Sequence, residues 1–138
     1  NYHLYLVGEG DLRKAIQDMI IKYELVDKVS LLGYRSDVPA ILKQSNLSVL
    51  SSYGEGFGLA IIESLAVGTI CLGSHVSGIK DILDSEYLFE LGDSKTWAEK
   101  IMKYCNLDLS QKCESMVKEY DVNKMVQLYK KVYNNAIQ

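Results

Sequence analysis

Surplus positive charge, paired cysteines and long apolar runs are all missing from this sequence, and each absence removes a class of protein. The formal net charge is −3 over 138 residues, which excludes a binder that grips nucleic acid through a basic surface. Cys71, Cys105 and Cys113 are odd in number and form no Cys-x-x-Cys pair, so reduced thiols are expected rather than a disulfide framework. No apolar run of about eighteen residues occurs, so no spanning helix is expected. No signal-peptide pattern opens the chain either. Reduced thiols and no span together lead to the expectation of a cytoplasmic protein. No repeat, low-complexity segment or linker divides the sequence, which therefore reads as one domain, residues 1–138.

What is present suits an ordinary globular protein: 48% hydrophobic and 24% charged residues, enough to bury a core without staples. The chain opens without Met, directly on Tyr2-His3-Leu4-Tyr5-Leu6-Val7, which reads as a sheet strand. It is therefore expected to be a piece of a longer protein. Gly8-Glu9-Gly10-Asp11 follows, then a helix from about Leu12 to Tyr23 with Ala15, Ile16, Met19 and Ile20 on one face. Strand, glycine turn, helix is a phosphate-binding arrangement in several folds, but Arg13 stands where the dinucleotide fingerprint needs its third glycine. The turn is open to two readings, a tight connection or a ligand contact by Gly8 and Gly10.

Val29-Ser30-Leu31-Leu32 is a second strand, closed by Gly33-Tyr34-Arg35-Ser36-Asp37. Pro39, the single proline, sits where the first turn of a helix accepts one. Arg35 on that loop reads as a solvated charge or as part of a binding loop. Leu47–Leu50 and Thr69–Leu72 are further strands; a short helix is expected through Ile82 and Leu83, and a last strand from Glu86 to Leu91. His75 is a candidate general base without a nearby Ser or Cys to pair with. Asp93 or Ser94 caps a helix bearing Trp97, and two more helices span roughly 110–120 and 122–136. Met116, Val117, Met125, Leu128, Tyr129, Val132 and Tyr133 read as packing stripes.

The most informative stretch is Ser51-Ser52-Tyr53-Gly54-Glu55-Gly56-Phe57-Gly58-Leu59-Ala60-Ile61-Ile62-Glu63. Three glycines and a glutamate fall within five residues, where a strand should become a helix. Such a turn brings bare backbone close to a ligand and leaves the first helical N–H groups unpaired. With the helix dipole, those groups seat phosphate or hydroxyl-rich molecules. Glu63 falls about two turns into that helix. Read without further context, Glu55 is open to a second, lesser reading as a helix-start acid favoured by the dipole, and Glu63 to one as a solvated helix residue.

Glu55, seven intervening residues and Glu63, with Gly56-Phe57-Gly58-Leu59 after the first and Ser64-Leu65-Ala66-Val67-Gly68 after the second, resemble the nucleotide-sugar motif of retaining glycosyltransferases of GT-B fold. That group includes bacterial capsule, exopolysaccharide and lipopolysaccharide transferases. The resemblance covers roughly Leu4 to Ile101. It implies a Rossmann-like three-layer sandwich around a parallel sheet, the C-terminal half of a GT-B fold, with extra helices at the C-terminus. It further implies donor binding by Gly8, Gly10, Tyr34, Arg35, Gly56, Phe57, Gly58, Leu59 and Glu63, with Glu63 on the ribose and Glu55, as the catalytic residue, on the donor sugar. The donor would be a UDP- or GDP-linked hexose. The acceptor, a glycan or lipid-linked sugar, would be held by an N-terminal domain that this chain lacks. The family works without metal or other cofactor, and no Asp-x-Asp pair argues for one here. The full-length protein would act in the cytoplasm or peripherally at the inner face of the membrane. Ser77-Gly78 stands where the family commonly has two glycines, and Asp81 where it commonly has Glu.

Two other functions compete. A non-catalytic nucleotide-binding module would share the fold, and a nicotinamide-dependent oxidoreductase would rest on Gly8-x-Gly10 alone.

Overall fold

The computed structural model describes residues 2–136. Strands and helices alternate as the apolar spacing predicts: β1 (Leu4–Val7), α1 (Arg13–Lys22), β2 (Val29–Gly33), α2 (Val38–Gln44), β3 (Ser48–Leu50), α3 (Leu59–Ala66), β4 (Cys71–Ser74), β5 (Leu88–Phe89), α4 (Ser94–Tyr104), α5 (Ser110–Val117) and α6 (Val122–Ala136). Every pairing among the described strands is parallel. Hydrogen bonding falls into two ladders, β1-β2 and β3-β4-β5, where the sequence predicts one sheet. The chain divides into two compact units, Asn1–Val38 and Pro39–Gln138.

In the first unit, β1 pairs with β2 in the register Leu4↔Val29 to Leu6↔Leu31. Only Leu6 of β1 is half-buried, and of the predicted α1 stripe Ile16 and Ile20 are half-buried while Met19 stays exposed. A two-stranded ladder gives each strand one neighbour, so the continuous burial typical of a central parallel strand does not arise here.

The second unit carries the core. β4 is central, pairing with β3 (Ser48↔Cys71 to Leu50↔Gly73) and with β5 (Gly73↔Leu88, Ser74↔Phe89). α3 is the crossover that a parallel β3–β4 connection requires. Its Ile61 and Leu65, four apart and hence on one face, are buried with Ile70, Leu72, Ile79, Leu83 and Phe89. Leu59, the first residue of α3, is 64% exposed. All three cysteines are free and buried. Burial pushes the Cys71 thiol up to about 11.

A chain of hydroxyls ties α3 to the ladder. The Ser48 and Ser64 hydroxyls share a hydrogen bond of 2.7 Å, and Ser64 Oγ lies 2.7 Å from the Thr69 carbonyl, to which it donates. Thr69 Oγ1 donates in turn to the Leu42 carbonyl, 2.7 Å away. Ser64 is completely buried, so these bonds fix how α3 is rotated about its axis.

Further expectations need correction. The segment after β4 forms turns from Ser77 to Ile82 instead of a helix. Gly78 there adopts φ +84°, outside helical range, and its N–H is taken by the Asp81 carboxylate at 3.2 Å, a local bond that competes with a helix. The last strand shrinks to Leu88–Phe89, because Ser85–Tyr87 winds into a 3₁₀ turn closed by the Tyr87 N–H on the Asp84 carbonyl at 2.9 Å. The helix predicted over 110–120 ends as α5 and continues as a 3₁₀ turn, Lys118–Tyr120. Of the predicted packing stripes, Met116 and Val117 pack on the core, whereas Met125, Leu128, Tyr129, Val132 and Tyr133 of α6 are exposed. The Asp93 cap is as expected, accepting from the Thr96 N–H at 3.1 Å.

Candidate functional site

The loop from Ser51 to Gly58 leaves the carboxyl end of β3 and delivers the chain to α3. Glu55 in its middle is half-buried, and Ser52 Oγ donates to its Oε1 at 2.7 Å. Ser52 is itself held, because Ser74 Oγ at the end of β4 donates to its carbonyl at 2.5 Å. The carboxylate is thereby anchored to two adjacent strands of the ladder. Its second oxygen is uninvolved in that bond and can accept from a hydroxyl-bearing ligand.

The glycines of the loop serve different ends. Gly58 takes the left-handed conformation, φ 73°, as the residue before α3, and a Cβ there would press on Ile61 Cδ1 at 3.2 Å and Ile82 Cδ1 at 3.3 Å. Gly54 and Gly56 adopt no positive φ, and a Cβ on either would meet no protein atom within 4 Å. Neither packing nor backbone conformation demands glycine at those two positions. What they provide is bare, accessible backbone ahead of a helix N-terminus. Phe57 and Leu59 are exposed at 53% and 64%. Glu63 is exposed on α3, next to buried Ser64, whose bonds set the direction in which Glu63 points.

A second loop, after β4, lies directly on the first. A Cβ built on Gly78 would overlap the Glu55 carbonyl oxygen and come within 2.9 Å of its carbon. Only glycine permits that approach. His75, just beyond β4, gains the partner that sequence alone did not reveal: its Nδ1 lies 2.7 Å from Glu90 Oε1, with both side chains exposed. Lys80 and Asp81 are exposed on the same loop.

In the first unit the two strand-end turns also meet. The Gly8 N–H donates to the Gly33 carbonyl at 2.8 Å. Arg13 pairs with Glu9 at 3.1 Å and donates to the Leu31 carbonyl at 3.4 Å, so the residue that interrupts the dinucleotide fingerprint braces the turn. Gly10 is open, and Tyr34 is 81% exposed. Arg35 is engaged with Asp37 through two bonds of 2.7 and 2.6 Å. That pairing raises the guanidinium's pKa and lowers the carboxyl's.

Sequence reasoning missed Ser74 and Tyr120, which contact these loops and belong to no local motif. Among the described residues no group of three or more His, Cys, Asp or Glu side chains is arranged to hold a metal ion, and no helix is long and apolar enough to cross a membrane.

Parallel strands whose carboxyl ends feed glycine-bearing turns define a Rossmann-like α/β domain, the class in which ligands bind at that edge. The chain belongs to the family described as glycosyl transferases group 1, whose model matches residues 1–121. It is 32% identical over 146 residues to the UDP-Gal:alpha-D-GlcNAc-diphosphoundecaprenol alpha-1,3-galactosyltransferase of Escherichia coli, covering 96% of this chain and 36% of that protein. It is 29% identical over 143 residues to the N-acetyl-alpha-D-glucosaminyl L-malate synthase of Bacillus anthracis, covering 97% and 38%. Among solved structures, HepE of Anabaena in complex with UDP and glucose superposes with a TM-score of 0.80 at 21% identity, over 96% of this chain and 40% of that one. The fold is that of one half of a GT-B glycosyltransferase. The chain spans well under half the length of these relatives.

Proposed function

We propose that this chain is the donor-binding half of a retaining glycosyltransferase that moves a hexose from a UDP- or GDP-linked donor to a glycan or lipid-linked acceptor in cell-surface polysaccharide synthesis. The observation that carries this reading is the Glu55 loop: a carboxylate anchored by Ser52, flanked by open backbone at Gly54 and Gly56, and leading into α3. The names of the relatives point the same way, since one is a galactosyltransferase that uses UDP-Gal and a diphosphoundecaprenol-linked acceptor. An acceptor of that kind sits in a membrane, which favours work at the inner membrane face by the full-length protein.

In this reading Glu55 accepts from hydroxyls of the donor sugar, and the Gly56, Phe57 and Gly58 N–H groups face sugar and diphosphate. Glu63 takes the adjacent ribose hydroxyls, a pair that matches the two oxygens of a carboxylate. Gly8, Gly10, Tyr34 and Arg35, in the first unit, are assigned to the nucleotide by the family resemblance alone. Negative charge grows on the departing diphosphate, and fixed backbone donors with the positive end of α3 stabilise it without metal. The acceptor is held by a part of the full-length protein outside this chain.

The test is calorimetric titration of the full-length protein with UDP, GDP and NAD, followed by a donor-consumption assay with nucleotide sugars. Binding of UDP or GDP with acceptor-dependent donor consumption is expected. Binding of NAD alone, or of a nucleotide without any transfer, overturns the enzyme reading.

A further inference from the structure

Tyr120 bridges the Glu55 loop and the turn after β4 that lies on it. Its ring meets that of Phe57 edge-on, with centroids 5.9 Å apart at 73°. Its hydroxyl donates to the Asp81 carbonyl at 2.9 Å, while the Asp81 carboxylate holds the Gly78 N–H at 3.2 Å. Gly78 in turn lies against the Glu55 backbone, too close for any side chain to intervene. One tyrosine thus bears on Phe57 directly and on Glu55 through Asp81 and Gly78. Tyr120 is well placed to hold that position. It closes the 3₁₀ turn after α5, is half-buried and packs on the core cluster, and α5 packs on α3, the helix the loop feeds. Burial, then the nearby charges of Asp81 and Glu119, raises its hydroxyl's pKa, so the donor proton is retained at physiological pH.

We infer that Tyr120 is a positioning residue for Glu55, fixing the carboxylate-bearing loop against the Gly78 turn so that Glu55 meets the donor sugar in one orientation. The inference rests on the donor-site reading above. Misplacing a catalytic group by about 1 Å can cost roughly a hundredfold in rate, so a residue that sets this loop should register in turnover more than in donor affinity.

The experiment compares Tyr120→Phe, Tyr120→Leu and Glu55→Gln in the full-length protein. Tyr120→Phe removes the bond to Asp81 and keeps the ring on Phe57; Tyr120→Leu removes both. Turnover per folded molecule should fall about tenfold in the first and about a hundredfold in the second, with donor KM changed less than threefold. In amide spectra of this chain, Tyr120→Phe should shift Gly78 and Glu55–Gly58 and leave Leu72 in place. Normal turnover in folded Tyr120→Leu, or a change in melting temperature alone, overturns the inference while the donor-site reading stands. If the leucine variant does not fold, the phenylalanine variant decides by the same criteria. If the parent protein transfers no sugar, the donor-site reading falls, and unshifted Gly78 and Glu55 amides in Tyr120→Phe then overturn the positioning role separately.

Discussion

At the scale of single residues, the proposed function divides the work between two glutamates, and their surroundings say how each should fail. Glu63 is exposed and assigned to the ribose, so Glu63→Gln should weaken nucleoside diphosphate binding by about 1.5–3 kcal/mol, the range for bonds to a charged group, read by calorimetry on the full-length protein. An unchanged dissociation constant would remove Glu63 from the site. Glu55 is assigned to the sugar, so Glu55→Gln should cost turnover more than nucleotide affinity; loss of UDP or GDP binding with normal turnover per bound donor would reverse the two assignments. Both carboxylates and the glycines between them were legible in the sequence, because local chemistry at a strand-to-helix turn is written in consecutive residues. Ser74 and Tyr120 were not, because each reaches the loop across the fold from a segment without a motif.

At the scale of elements, α3 depends on a buried hydroxyl network more than on its own length. Ser64→Ala removes the donor to the Thr69 carbonyl and the partner of Ser48. It should destabilise the protein by about 1–3 kcal/mol, the cost of leaving buried polar groups unpaired, measured by urea denaturation. Donor affinity should also suffer, since the rotation of α3 aims Glu63; a neutral effect on both would show that packing of Ile61 and Leu65 suffices. Strand and helix order followed from apolar periodicity, yet the segment at Ile79–Leu83 did not. Its spacing reports burial of Ile79 and Leu83, which a turn achieves as well as a helix does. The exposed stripe of α6 shows the complementary failure: spacing announces an apolar face, never what covers it.

At the scale of the whole chain, stability should decline in alkali. The Cys71 thiol is raised from 9.0 to about 11 and the Tyr87 hydroxyl from 10.0 to about 12, both mainly by burial. Each group folds more readily in its neutral form, so its contribution is complete below the unfolded value and is lost as pH rises through the folded one. Melting temperature should therefore hold below pH 9 and fall between pH 9 and 12; a flat profile across that window would contradict the burial argument. The same 138-residue chain, tested alone, should bind UDP or GDP no more tightly than about millimolar and transfer nothing. An exposed helix N-terminus supplies only about 0.3–1 kcal/mol, and no acceptor-holding partner closes over the donor. Amide titration beside a donor-consumption assay would check both halves of that expectation.

The contact between Gly78 and the Glu55 backbone also bears on how this gene tolerates mutation. Every single-nucleotide change that turns a glycine codon into another amino acid's codon adds at least one carbon, and at Gly78 that carbon has nowhere to go. Position 78 should then behave as all-or-none in a library of point mutants. Gly54 and Gly56, where an added carbon meets no protein atom, should instead yield folded proteins of graded activity.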